Sequence, residues 1–143
     1  MKKFFFLILI CLFSSYANAG CDDPLTDSVD YTNCRFSDGQ DLQGSYLPNS
    51  KLSFASFIQV IFDKSIMMNS NLSFGTFPES SFVRANLYES ILVGANFEKA
   101  NFTGANLTSS NIKNANFDGA NLIGATWTNG ETCGPNSIGV CNK

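Results

Sequence analysis

The reactive side chains of this 143-residue chain are five cysteines, twelve carboxylates and nine lysines and arginines, with no histidine. Nucleophilic catalysis needs a Ser, Thr or Cys beside a base, and only lysines and carboxylates are available to serve as one. They are spread singly along the chain. Asp63 beside Lys64 and Glu98 beside Lys99 are adjacent opposite charges that read as solvated surface. No CxxC pair or zinc-ligand spacing occurs, and no glycine-rich phosphate loop. The sequence therefore predicts no catalytic residue, no cofactor and no metal site, and points away from an enzyme.

The cysteines read as staples instead. Lys2 and Lys3, an apolar run from Phe4 to Phe13 and the small-residue site Ala17-Asn18-Ala19 form a secretory signal. The run is too short to span a bilayer, and no second such stretch follows, so the mature chain should hold no membrane span. Cleavage near Ala19/Gly20 discards Cys11 and leaves Cys21, Cys34, Cys133 and Cys141, an even number suited to an oxidising compartment. The expected location is periplasmic or extracellular. The alternative is a lipid anchor at Cys21, although Asn18 stands where such signals usually carry a large aliphatic residue. Four cysteines allow three pairings.

The element that must position these groups is a repeat. Residues 40–129 divide into eighteen consecutive pentads without insertion. The central residue, called i, is always apolar, as in Leu42, Leu47, Leu52, Phe57 and Phe62, and position i−2 is Ala, Ser or Gly in sixteen of the eighteen. A period of five wraps the apolar residues around every side of a helix and flips them between the faces of a strand. Only a chain that turns once per pentad keeps every i residue inside. From Leu52 to Phe117 the i residues run as two phenylalanines and then two aliphatics, repeating every twenty residues. Four pentads therefore close one coil, stacking Phe57, Phe77, Phe97 and Phe117 in one column and Phe62, Phe82 and Phe102 in the next. Like on like adds about 0.5–1.5 kcal/mol per aromatic pair, which a three-sided coil would forfeit. The fold class is all-β, a four-sided solenoid of about four and a half coils rising about 4.8 Å each, or about 22 Å in all. Cysteines at opposite ends of such a stack lie beyond the about 7 Å reach of a disulfide, so the local pairs Cys21–Cys34 and Cys133–Cys141 are preferred.

Runs such as Ala95-Asn96-Phe97-Glu98-Lys99-Ala100-Asn101-Phe102 and Ala120-Asn121-Leu122 closely resemble the pentapeptide-repeat proteins. The resemblance implies a right-handed quadrilateral β-helix, the handedness coming from the family. The expected organisation is a signal peptide over 1–19, an N-terminal cap segment over 20–39, the β-helix over 40–129 and a C-terminal cap over 130–143. Trp127 should cover the last coil with the Cys133–Cys141 step pinning the lid. Phe36 should do the same at the front, one residue out of register because of Gly39, since open solenoid ends expose core and unpaired backbone.

Function is less legible. Some members of the family are thought to mimic DNA and bind topoisomerases, the alternative reading here. Mimicry needs a strongly acidic surface, whereas residues 40–129 carry six acids and five bases, and a signal peptide removes the chain from cytosolic DNA enzymes. No nucleic acid is expected as a partner. The irregular feature lies outside the prism. Residues 40–94 place eleven apolar side chains at outward positions and the later pentads only Ile123. Among the eleven, Tyr46 and Ile66, Met68 and Tyr88, and Phe54 and Phe74 align by coil. Apolar patches of this kind mark contact. Either residues 20–39 fold back over them, or they meet a protein partner or a second copy as a homodimer, or they reflect sequence drift without contact. The expectation is a non-catalytic interaction or structural module.

Overall fold

A computed structural model describes residues 21–143; the signal sequence and cleavage site expected from the sequence lie outside the described residues. The pentad is the folding unit, and one turn recurs along the whole array. In most pentads the amide of the following i−2 residue donates to the carbonyl of i, as from Ala85 to Phe82 (3.0 Å) and Ala105 to Phe102 (2.9 Å), whereas the Ser50 and Val60 amides donate to the hydroxyls of Ser70 and Ser80. Residue i+2 lies in the left-handed region in every pentad from Gly44 to Gly124, the geometry of a turn whose second central residue has positive φ. Glycine takes this conformation freely. Phe54, Phe74, Glu79 and Arg84 adopt it too, at φ near +56°. Closing the coil imposes the same backbone on every side chain at this position.

Position i−1 locks the turn from outside. The Asn Oδ1 accepts the amide two residues on, from Asn96 to Glu98 (3.0 Å), from Asn101 to Thr103 (3.0 Å) and from Asn116 to Asp118 (2.9 Å). These asparagines are therefore bonded turn elements. Some also form ladders between coils, with Asn106 Nδ2 donating to Asn86 Oδ1 and Asn116 Nδ2 to Asn96 Oδ1.

Coils join through single parallel bridges rather than continuous strands, one per pentad, linking residues twenty apart: Tyr46 to Ile66, Ile66 to Asn86, Asn86 to Asn106. Four pentads, and four turns, complete each circuit. Inside, Phe57, Phe77, Phe97 and Phe117 stack with centroids 5.0–5.2 Å apart, and Phe62, Phe82 and Phe102 stack beside them. The two columns meet edge to face, as between Phe82 and Phe97 (5.7 Å, 81°). Leu52, Leu72 and Leu92 and Met67, Leu87 and Leu107 fill the remaining columns, fully buried.

Serine at i−2 has its own role in the early coils. The hydroxyls of Ser70 and Ser90 donate to the carbonyls of Leu47 and Met67 in the coil beneath (2.6 and 2.7 Å), and that of Ser80 donates to Phe57. Ser45 and Ser65 have buried hydroxyls without such a partner among the described residues.

Both ends are covered. At the front, Asp30 and Arg35 bridge to Lys51 and Ser56 with an offset of twenty-one residues, against twenty from Asp41 onward. The extra residue is absorbed before Gly39 (φ +74°). Phe36 stacks on Phe57 (4.4 Å), Tyr31 packs edge-on to Phe36, and the Tyr31 hydroxyl donates to the Asp23 carbonyl (2.6 Å). At the other end the tail reverses and pairs antiparallel, Thr126 with Thr132 and Asn121 with Ile138. Trp127 lies edge-on to Phe117 (5.5 Å). Disulfides Cys21–Cys34 and Cys133–Cys141 secure the two ends, with Cα separations of 5.5 and 5.0 Å.

Candidate functional site

Polar chemistry does not converge anywhere among the described residues, and no group of His, Cys, Asp or Glu is placed to hold a metal. Asp63 is absorbed by structure, its Oδ1 accepting from the Ser81 hydroxyl and the Val83 amide. The ion pairs Lys51–Asp30, Lys99–Glu98, Lys143–Glu131 and Arg35–Asp38 are all exposed. Hydrogen bonds from Thr32, then Lys51, hold the Asp30 carboxyl below its usual range, and Lys143 and Asn129 do the same for Glu131. A groove of about 300 Å³ opens at the front end between Asp22, Asp23, Arg35 and Gln40. It is shallow and polar.

The apolar exterior has more definite geometry. Tyr46, Phe54 and Phe74 are 52, 58 and 52% exposed, and Ile91 is 43% exposed. Ile66, Met68 and Tyr88 are half-buried. Residues 28–39 leave these rings exposed, because they pair in parallel beneath 48–59 and continue the stack.

The six residues singled out in the sequence separate into two groups. Tyr46, Ile66, Met68 and Tyr88 belong to the stacked pentads 45–49, 65–69 and 85–89 and share one side of the coil. The Tyr46–Ile66 bridge forms one row of that side, and the Asn69 amide donating to the Tyr88 carbonyl ties the upper two pentads together. Phe54 and Phe74 sit instead in a column of turns further round, their rings stacked at 5.2 Å and 14°. The Phe74 ring lies over Gly94, where an added Cβ would come within 2.7 Å of it. Gly94 follows Phe74 by one circuit, a spacing that marks this contact in the sequence. Sequence reading passed over Arg84 and Glu89, whose turns flank the Tyr46 side. Their signal is position: each ends a pentad at an edge of that side.

A coil that buries its aromatic residues in columns and offers surfaces rather than a cleft is a solenoid repeat protein. Eight copies of the pentapeptide-repeat model match residues 41–73, 80–119 and 100–129, and the chain belongs to that family. Solved structures share the fold. The pentapeptide repeat protein Rfr23 from the cyanobacterium Cyanothece 51142 is 21% identical, with TM-score 0.57 over 66% of this chain and 81% of that one. HetL from the cyanobacterium Nostoc sp. strain PCC 7120, described as involved in the regulation of heterocyst differentiation, is 23% identical. Its TM-score is 0.61 over 71% of this chain, which spans only 45% of that protein. A pentapeptide repeat protein of the Arabidopsis thaliana thylakoid lumen is 21% identical, with TM-score 0.50 over 64% of this chain and 67% of that one. No curated protein matches the sequence.

Proposed function

We propose that the protein is an exported, non-catalytic interaction module, a right-handed quadrilateral β-helix of about four and a half coils over residues 40–129. Its contact surface is the apolar exterior of the early coils. One observation carries the reading: Tyr46, Phe54 and Phe74 remain more than half exposed although the chain ahead of them is already folded against the stack. Leaving three large aromatic rings in water is unfavourable, and a partner that covers them removes that cost.

Export rests on the signal sequence and on two disulfides of the kind that persist in oxidising compartments. A Cys21 sulfur bonded to Cys34 cannot also carry a thioether-linked lipid, which favours release near Ala19/Gly20 over anchoring. The mature protein from an envelope or medium fraction should have the mass of residues 20–143 with two disulfides. A cytosolic product or a lipidated Cys21 contradicts this part of the reading.

For the contact itself, a photo-crosslinking amino acid should be placed in cells at position 46, with a control at position 113 on the regular late coils. Adducts are expected from position 46 and not from position 113. No adduct from position 46, or equal yields from both, overturns the interaction reading.

A further inference from the structure

The side carrying Tyr46, Ile66, Met68 and Tyr88 has an asymmetric rim. Along one edge run Lys64 and Arg84, each at the turn entering a stacked pentad, and along the other runs Glu89, at the turn leaving the last of them. All three are exposed, and none has an ion-pair partner among the described residues. The stem of Arg84 lies along the next turn, since a Cβ at Gly104 would fall 3.5 Å from its Cγ. Arg84 and Glu89 are five residues apart, within one circuit, and so stand at closely similar heights on opposite edges of the same apolar strip.

A surface built this way is complementary to itself in one orientation. Rotation by a half-turn about an axis parallel to the coil keeps every height and exchanges the two edges, so basic meets acidic. A half-turn about an axis across the coil would set basic edge against basic edge, which like-charge repulsion disfavours. Isologous pairing of this kind places the same patch on both subunits. We propose that two copies of this chain pair side to side through the Tyr46, Ile66, Met68 and Tyr88 face, coil axes parallel, with Arg84 of each copy meeting Glu89 of the other. Lys64 then faces the uncharged Asn69 across the strip, and no like charges are opposed. This deepens the interaction reading above and rests on its four-sided geometry, and it names the occupant of that side as a second copy.

The strip spans three coils, below the about 1,200 Å² of total buried area at which stable complexes begin, so pairing should be reversible and concentration-dependent. Sedimentation of the mature chain from micromolar to millimolar concentration should show a monomer–dimer equilibrium that weakens with added salt. Arg84→Glu and Glu89→Arg should each raise the dissociation constant at least tenfold, and the double swap R84E/E89R should restore it. Met68→Arg, which buries a charge between the copies, should leave only monomer. Circular dichroism should be unchanged in all four, since these side chains face outward. A chain monomeric at every concentration overturns the proposal, as does a dimer that the single swaps leave intact or the double swap fails to rescue. The crosslinking experiment separates the two readings. An adduct at position 46 with a different protein, from a monomeric chain, keeps the interaction reading and removes self-pairing; no adduct removes both.

Discussion

At position i−2, Ser70, Ser80 and Ser90 each reach a carbonyl one coil below, whereas Ser65 is fully buried with no partner for its hydroxyl among the described residues. An unsatisfied buried hydroxyl costs about 1–3 kcal/mol, and a satisfied one contributes about 1 kcal/mol. Ser65→Ala should therefore raise stability by about 1 kcal/mol, and Ser80→Ala should lower it by a similar amount, both read from urea denaturation. The small size of these residues is visible in the sequence; which of them is bonded is not, because the acceptor lies twenty-three residues away in another coil. The same holds at i+2. Glycine there advertises a positive φ, but Phe54 and Phe74 carry the same backbone with nothing in their residue type to announce it.

The coil is a stack of columns, and a column fails where one member no longer fits. Gly75 is the one glycine at i−2, and a Cβ there would lie 2.6 Å from the Phe77 ring and 3.1 Å from the Leu72 carbonyl. Alanine fills this position without strain in many later pentads, so composition alone would rate Gly75→Ala as stabilising. The packed ring reverses the sign. The substitution should push Phe77 out of line with Phe57 and Phe97 and cost about 1–3 kcal/mol, measured as a shift in the denaturation midpoint. The columns themselves were readable from the Phe-Phe-Leu-Leu order. The two ends were less so. Phe36 was legible as a front cover one residue out of register, but its stacking on Phe57 through an offset of twenty-one was not. Nor was the antiparallel return of the tail onto Asn121 and Thr126.

Over the whole molecule, a stack in which each coil touches only its neighbours should accept changes that preserve the circuit. Deleting residues 81–100 removes one complete coil and leaves Phe62 beneath Phe102 and Phe77 beneath Phe117. Deleting 81–85 removes a quarter-turn and sets aliphatic residues under aromatic ones. The first variant should melt cooperatively and the second should not fold, as followed by circular dichroism. Charge makes a second expectation at this scale. The sequence has no histidine, the side chain whose ordinary charge change falls between about pH 5 and 8, so stability should vary little across that range. Asp30 and Glu131 have folded-state pKa values below their ordinary 3.8 and 4.5. Their contribution is present above those values and is lost as pH falls through the lowered ones, so unfolding should ease below about pH 4. Tyr31, raised above 10.0 first by burial, works in the opposite sense, its share being lost as pH rises beyond 10. Denaturation midpoints at pH 3, 5, 8 and 11 check both limbs.

A period of five with a higher period of twenty is a property of the one-dimensional string, and it dictates which residues are inside, how many pentads make a circuit and which rings stack. Those follow from the sequence because each repeat interacts with the same partner a constant distance along the chain. The outside obeys no such rule. Whether residues 21–39 cover Tyr46 and Phe54, and how far those rings stand exposed, depend on how the turns aim successive pentads in space. Local periodicity holds no term for that direction, and folding supplies it.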